Sequence, residues 1–172
     1  PAAAGFVTGP ETIDGRGPER EYSERELVAE SRTVSIRDGF PDGATGRALW
    51  LPADNLNTDG IYGKDVTYRD DLTPEQMAQY AMLNYDPNFQ AIAADGDILV
   101  AGKNFGTGSS REQAATALKY RGIRMVIAAS FSQTYLRNAF NNAFICVESP
   151  QLVAAMRAAF EAEAESGRRT IP

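Results

Sequence analysis

A chain of 172 residues, 43% of them hydrophobic, is long enough for one domain with a sizeable core, and no apolar run approaches the roughly 20 residues needed to span a bilayer. A net charge of −6 argues against a nucleic-acid partner and against docking on anionic lipid. Histidine is absent and there is a single cysteine, Cys146. This excludes a Ser-His-Asp triad, a His-ligated metal, an internal disulfide and a Cys-ligated iron–sulfur cluster from this chain by itself, and it favours a cytosolic or organellar-matrix setting over a secreted one.

The chain opens on Pro1 rather than Met, as a processed product or a piece of something longer would, and Pro1 to Pro10 carries no signal-peptide pattern. Residues 1 to about 32 read as a linker or tether, partly disordered, because Gly, Pro and charge dominate; Leu27 and Val28 are the only apolar anchors for a short helix over Ser23–Ser31. The globular pattern runs over 33–172. Thr33–Ile36 alternates as a strand would, Gly39–Gly46 is rich in turn residues, and Arg47–Leu51 reads as a second strand. Asp54–Gly60 is too rich in Asn, Asp and Gly for regular structure.

Thr73 opens a helix: Pro74 takes the first helical position and Gln76 completes a Thr-x-x-Gln capping box. Met77, Tyr80, Ala81 and Asn84 share a face, and Asp86-Pro87 ends the helix. Asp97–Ala101 is predicted as a buried strand, Gly102–Ser110 as a loop and Arg111–Tyr120 as a helix capped by Gly122. Met125–Ala128 and Phe144–Val147 are two further buried strands, with a helix and turn over Ser132–Asn142 between them. Ser149-Pro150 starts a last helix that Gly167 stops. Buried strands alternating with helices predict an α/β fold with a mostly parallel central sheet and flanking helices.

In such sheets ligands bind at the carboxyl ends of strands, which here is the loop Gly102–Ser110. Its glycines let the backbone turn tightly and approach a ligand, and the start of the following helix presents free N–H groups to an anion. Ser109 and Ser110 add hydroxyls and Arg111 a fork suited to a carboxylate. The plain alternative is a βα turn with Ser109 or Ser110 as helix cap. The loop is neither a Walker A sequence, lacking its Gly-Lys-Ser/Thr ending, nor a dinucleotide fingerprint, lacking the third glycine.

The segment Asn104-Phe105-Gly106-Thr107-Gly108-Ser109-Ser110-Arg111-Glu112 resembles the signature of the swivelling domain of the aconitase superfamily. Val126-Ile127-Ala128 with Ser130-Phe131, then Arg137-Asn138 and Asn141-Asn142, is similar to the family's next strand and Asn-rich turn. Asp54-Asn55-x-Asn57-Thr58-Asp59 is similar to its Asp-Asn-x-Asp-Thr-Asp loop. Thr107 and Glu112-Gln113-Ala114-Ala115-Thr116 resemble the fungal homoaconitase branch more than the isopropylmalate isomerase small subunits, which carry Cys and His at the positions of Thr107 and Gln113.

The resemblance implies a swivelling β/β/α domain of a hydro-lyase that acts on a small tricarboxylic acid through a 4Fe–4S cluster held by other domains of the same enzyme. No metal is expected on this chain, and the chain is expected to be inactive alone. Ser109 matches the base that removes the substrate proton, Arg111 the residue that grips a substrate carboxylate, and Ser110 and Asn104 lie in the same substrate site. Substrate choice is expected from Tyr62–Arg69, where an extra carboxylate calls for a cation; Lys64 is preferred over Arg69. For the fungal branch the expectations are homocitrate, homoaconitate and homoisocitrate as substrates, lysine biosynthesis as the setting and the mitochondrial matrix as location; otherwise the cytoplasm. An isopropylmalate isomerase small subunit, an aconitase fragment and a non-catalytic anion-binding module are the rivals. Cys146 and Trp50 read as core residues, with a domain interface also open for Trp50; the Asp54–Asp59 loop reads as a hydrogen-bonded turn rather than a metal site; the acidic last helix reads as a solvated face.

Overall fold

The computed structural model describes residues 43–172 apart from Asp70, and for Lys64 and Thr67 the backbone alone. The expected tether over 1–32, the strand at Thr33–Ile36 and the start of the Gly39–Gly46 turn lie outside the described residues. Among the described residues four strands, β1 (Ala48–Leu51), β2 (Ile98–Ala101), β3 (Met125–Ala128) and β4 (Ile145–Glu148), form one sheet in the order β1-β2-β3-β4. Every pairing is parallel, in the register Ala48↔Ile98, Ile98↔Met125 and Met125↔Ile145. The helices are α1 (Thr58–Ile61), α2 (Lys64–Thr67), α3 (Pro74–Tyr80) and α4 (Phe89–Ile92) between β1 and β2, α5 (Gln113–Tyr120) and α6 (Gln133–Asn141) in the next two crossovers, and α7 (Pro150–Ala159) and α8 (Glu161–Glu165) after β4.

Side chains alternate across a strand, so each strand feeds two cores. Leu49, Leu51, Leu99, Ala101, Val126 and Ala128 face a larger core with Met82, Phe89, Leu118 and Tyr135. The intervening Trp50, Val100 and Ile127 face a smaller one with Val153 and Met156 of α7 and with Ile171. A sheet covered on both faces selects continuous apolar runs, which is why β2 and β3 stand out in the sequence. The outer edge of β1 is closed by Ile171, which exchanges both backbone bonds with Trp50 (2.7 and 2.9 Å). β4 departs from the expected buried strand: Ile145 and Val147 are 47% and 41% exposed. It is an end strand of the sheet among the described residues, and Cys146, with Phe144 just ahead of the strand, packs against the larger core.

Helix boundaries follow local chemistry. The Thr73–Gln76 capping box forms, the Thr73 amide donating to Gln76 Oε1 at 2.9 Å and the Gln76 amide to Thr73 Oγ1 at 3.3 Å. α3 stops at Tyr80 rather than at Asp86, because Ala81 bridges Tyr62 and Met82 takes a left-handed φ of 64°. α5 ends in a Schellman turn: Gly122 has φ 88° and donates to the Lys119 carbonyl, while Ile123 donates to that of Leu118. α6 ends the same way with Ala143 at φ 50°, as Ala143 donates to Phe140 and Phe144 to Ala139. After Ser149-Pro150 the last helix is two, α7 and α8, broken at Phe160, and Gly167 follows with φ 85°. The acidic residues of α8 face water, apart from a half-buried Glu163.

Candidate functional site

Consecutive strands that are also neighbours bring successive βα loops side by side at the carboxyl edge of the sheet. The loop after β1 (52–57) and the loop after β2 (102–112) therefore meet, and they zip together backbone to backbone. Asn55 donates to the Lys103 carbonyl (2.8 Å), Gly106 to that of Leu56 (2.8 Å) and Thr58 to that of Thr107 (2.9 Å). The Asp54–Gly60 stretch, expected to be irregular, contains α1, because Asn57 caps it through Gly60 N–H (2.8 Å). Asp54 Oδ1 accepts from the Lys103 amide (2.8 Å) and from Arg157 of α7 (2.8 Å), so this acid works as a hydrogen-bonded strut between three segments. Among the described residues no group of three or more His, Cys, Asp or Glu is placed to hold a metal ion.

The second loop is buttressed from β3 and α6. Asn104, at φ 54°, donates its amide N–H to Ser130 Oγ (2.9 Å) and its Nδ2 to Asn55 Oδ1 (3.0 Å). Phe105 is fully buried and makes edge-on contacts with Phe131 and Tyr135, at 5.9 and 5.2 Å between centroids. Gly106, at φ 73°, lies so close to the Tyr135 ring that a Cβ would strike it, so its glycine serves packing beneath the loop rather than approach to a ligand above it. Asn138 Nδ2 donates to the Ser110 carbonyl (3.1 Å) and Asn142 Nδ2 to Glu112 Oε1 (2.8 Å). The Asn-rich turn noted in the sequence thus carries the far side of the Ser-Ser-Arg loop.

Ser109 and Ser110 are exposed on the loop, with Arg111 half-buried behind them. The helix begins at Gln113, not Arg111, so the serines lie three and four residues ahead of it. Ala114 and Ala115 donate to the carbonyls of Arg111 and Glu112, so these first-turn amides are spent inside the turn instead of facing an anion. Neither Ser109 nor Ser110 is the helix cap, a position held by Glu112 without a side-chain bond. Arg111 Nη1 donates to Asp59 Oδ1, joining the second loop to α1 by charge. Asn104 is present in the same cluster with its amide turned to Asn55. Lys64 begins α2, and its side chain lies outside what is described. Arg69, the rival cation, is paired with Asp71 at 3.1 Å. Asp59, Ser130, Asn138 and Asn142 complete the site; they stand in the blocks that carry the resemblance, but their pairing with the Ser-Ser-Arg loop depends on long-range contacts that local sequence does not encode. Burial pushes the Cys146 thiol up to about 12, as befits a residue packed against the larger core.

A parallel α/β domain with a Ser-Ser-Arg loop held between an Asn-Thr-Asp loop and an Asn-rich turn defines a class. The chain belongs to the aconitase C-terminal domain family, whose model matches residues 21–152. It is 53% identical over 138 residues to the mitochondrial homoaconitase of Candida glabrata, covering 80% of this chain and 20% of that protein. To the mitochondrial homoaconitase of Aspergillus fumigatus it is 50% identical over 137 residues, covering 80% and 18%. Among solved structures it is similar to the 3-isopropylmalate dehydratase of Methanocaldococcus jannaschii, with a TM-score of 0.55 and 44% identity over 59% of each chain. The chain thus spans about a fifth of the length of the curated relatives it matches.

Proposed function

We propose that this domain contributes the proton-transfer and carboxylate-binding residues of a homoaconitase, a hydro-lyase that interconverts homocitrate, homoaconitate and homoisocitrate in lysine biosynthesis. The observation that carries the reading is the exposed Ser109-Ser110 pair beside Arg111 on a loop fixed from both flanks. A loop so held yet open to water needs a second surface to close it, since charge stabilisation is strong only where water is excluded. The relatives' length fits this: about four fifths of each lies beyond the part matched here.

In this reading Arg111 binds a substrate carboxylate and so presents the neighbouring carbon to Ser109. Deprotonated Ser109 Oγ takes the proton from that carbon and becomes a hydroxyl, the C–H electron pair forms the double bond, and hydroxide leaves from the adjacent carbon. Hydration runs the same steps in reverse. Ser110 and Asn104 line the substrate beside this pair, and Lys64 meets the extra carboxylate of the longer acid. The family's 4Fe–4S cluster does not fit this chain. A cluster needs several thiolates, whereas Cys146 is the only one in the sequence and sits in the core. We place the cluster on the remaining domains of the enzyme, which are the partners of this one, and the whole in the mitochondrial matrix, as the relatives' names suggest.

The likeness to an isopropylmalate dehydratase favours one second reading, a domain acting on isopropylmalate. Joining this domain to its cluster-bearing part and measuring hydration of cis-homoaconitate, cis-aconitate and isopropylmaleate separates them. The proposal expects the highest kcat/KM on cis-homoaconitate; a preference for isopropylmaleate overturns it.

A further inference from the structure

Arg111 is only 14% exposed although Ser109 and Ser110 ahead of it face solvent, and the group that meets it is Asp59, a carboxylate on the short helix α1. Asp59 is rigidly mounted. It sits in α1, capped by Asn57; its own carbonyl accepts from Asn84 Nδ2 (3.1 Å); and the preceding Thr58 amide is bonded to Thr107 on the loop that carries Ser109. A guanidinium has five N–H donors, and among the described residues only the Nη1 side of Arg111 is engaged, by Asp59.

We propose that Asp59 is the positioning residue for Arg111: by holding Nη1 it fixes the plane of the fork so that the remaining N–H groups meet a substrate carboxylate two-pronged and at one place relative to Ser109. This rests on the reading of Arg111 as the carboxylate-binding residue. An arginine without such a partner spends its large rotamer freedom at the moment of binding, and a carboxylate bound at a shifting place presents the carbon to the base in fewer productive poses. The Asp59 charge partly offsets the attraction of Arg111 for an anion, so its contribution lies in orientation more than in affinity.

The test uses the complete enzyme with Asp59→Ala, Arg111→Ala and the double variant. It measures kcat and KM for cis-homoaconitate, thermal unfolding, and calorimetric binding of the unreactive tricarboxylate propane-1,2,3-tricarboxylate. Asp59→Ala is expected to lower kcat about tenfold with KM changed less than threefold, and to have no further effect in the Arg111→Ala background. Unchanged kcat, a tightened KM with kcat kept, or an equal further loss in the double variant overturns the proposal; the tightened KM would mean that Asp59 masks Arg111 instead of positioning it. Should Asp59→Ala not fold, Asp59→Asn keeps an acceptor without the charge, and kcat about threefold lower supports the proposal while unchanged kcat overturns it. If Arg111→Ala leaves both KM and tricarboxylate affinity unchanged, the reading of Arg111 fails, and that outcome is visible without any Asp59 variant.

Discussion

Asn104 donates its Nδ2 to Asn55 Oδ1 at 3.0 Å, and both residues are left-handed, with φ of 54° and 57°. They stand four and three residues past the ends of the neighbouring strands β1 and β2, so one side-chain bond ties two strained turns together. Asn tolerates this conformation better than other residues bearing a Cβ. Asn104→Gly should therefore be nearly neutral in stability, losing the bond but relieving the strain. Asn104→Ala loses the bond and keeps the strain, and should cost about 1–2 kcal/mol more, read from denaturant unfolding of the two variants.

The two loop glycines are not equivalent. A Cβ on Gly106 would strike the Tyr135 ring, whereas one on Gly108 meets only ordinary contacts at 3.7 Å, with Asn57 and Thr58. Both have positive φ. Gly108→Ala should cost about 1 kcal/mol from backbone strain alone, and Gly106→Ala clearly more, about 3 kcal/mol, because the packed aromatic floor must move. Equal costs in thermal unfolding would show that the close approach to Tyr135 is not what requires glycine.

Ala143 occupies the left-handed position of a Schellman turn where glycine is usual. Ala143→Gly should stabilise the domain by roughly 0.5–1 kcal/mol, raising Tm by a few degrees without affecting turnover.

At the opposite end of the sheet Asp97 is nearly enclosed, with a side chain 3% exposed. Burial works against its charge, but the bonds from Arg47 (2.8 and 3.1 Å) and the Ala94 amide (2.7 Å) outweigh it and hold the carboxyl below its ordinary value of 3.8. A carboxyl depressed in the folded state contributes stability that is fully present above its unfolded pKa and is lost as pH falls through the lower folded value. Unfolding followed from pH 6 to pH 2 should show wild type losing this contribution below about pH 4. Asp97→Ala should be less stable by about 1–3 kcal/mol at pH 6, and the gap should narrow in acid.

Much of this was legible in the sequence, and the reasons differ by element. β2 and β3 are apolar throughout because both faces are covered, so their runs mark them to within a residue. The capping box at Thr73 and the glycine after α5 are local chemistry and stand where the residues put them. β4 has the same apolar run, but a run does not encode which face other elements will cover, and Ile145 and Val147 stay exposed whereas Leu49, Trp50 and Leu51 of β1, the other end strand, are buried. The start of α5 at Gln113 was hidden because Ser, Ser and Arg all suit a first helical turn, whereas in the structure they lie ahead of the helix, with Arg111 bonded to Asp59 and the Ser110 carbonyl to Asn138. The Ser109–Arg111 block and the blocks containing Asp59, Asn138 and Asn142 were each recognisable; which of them bond to one another was not, since the partners lie 28 to 52 positions apart in the chain.

The central claim is that this chain supplies the base. The most direct measurement is kcat for cis-homoaconitate hydration by the complete enzyme with Ser109→Ala, alongside unfolding and tricarboxylate binding as controls. Ser109 is exposed, so folding and binding should be kept while kcat falls by about 10³-fold or more. A variant that turns over at a near-normal rate would contradict the account.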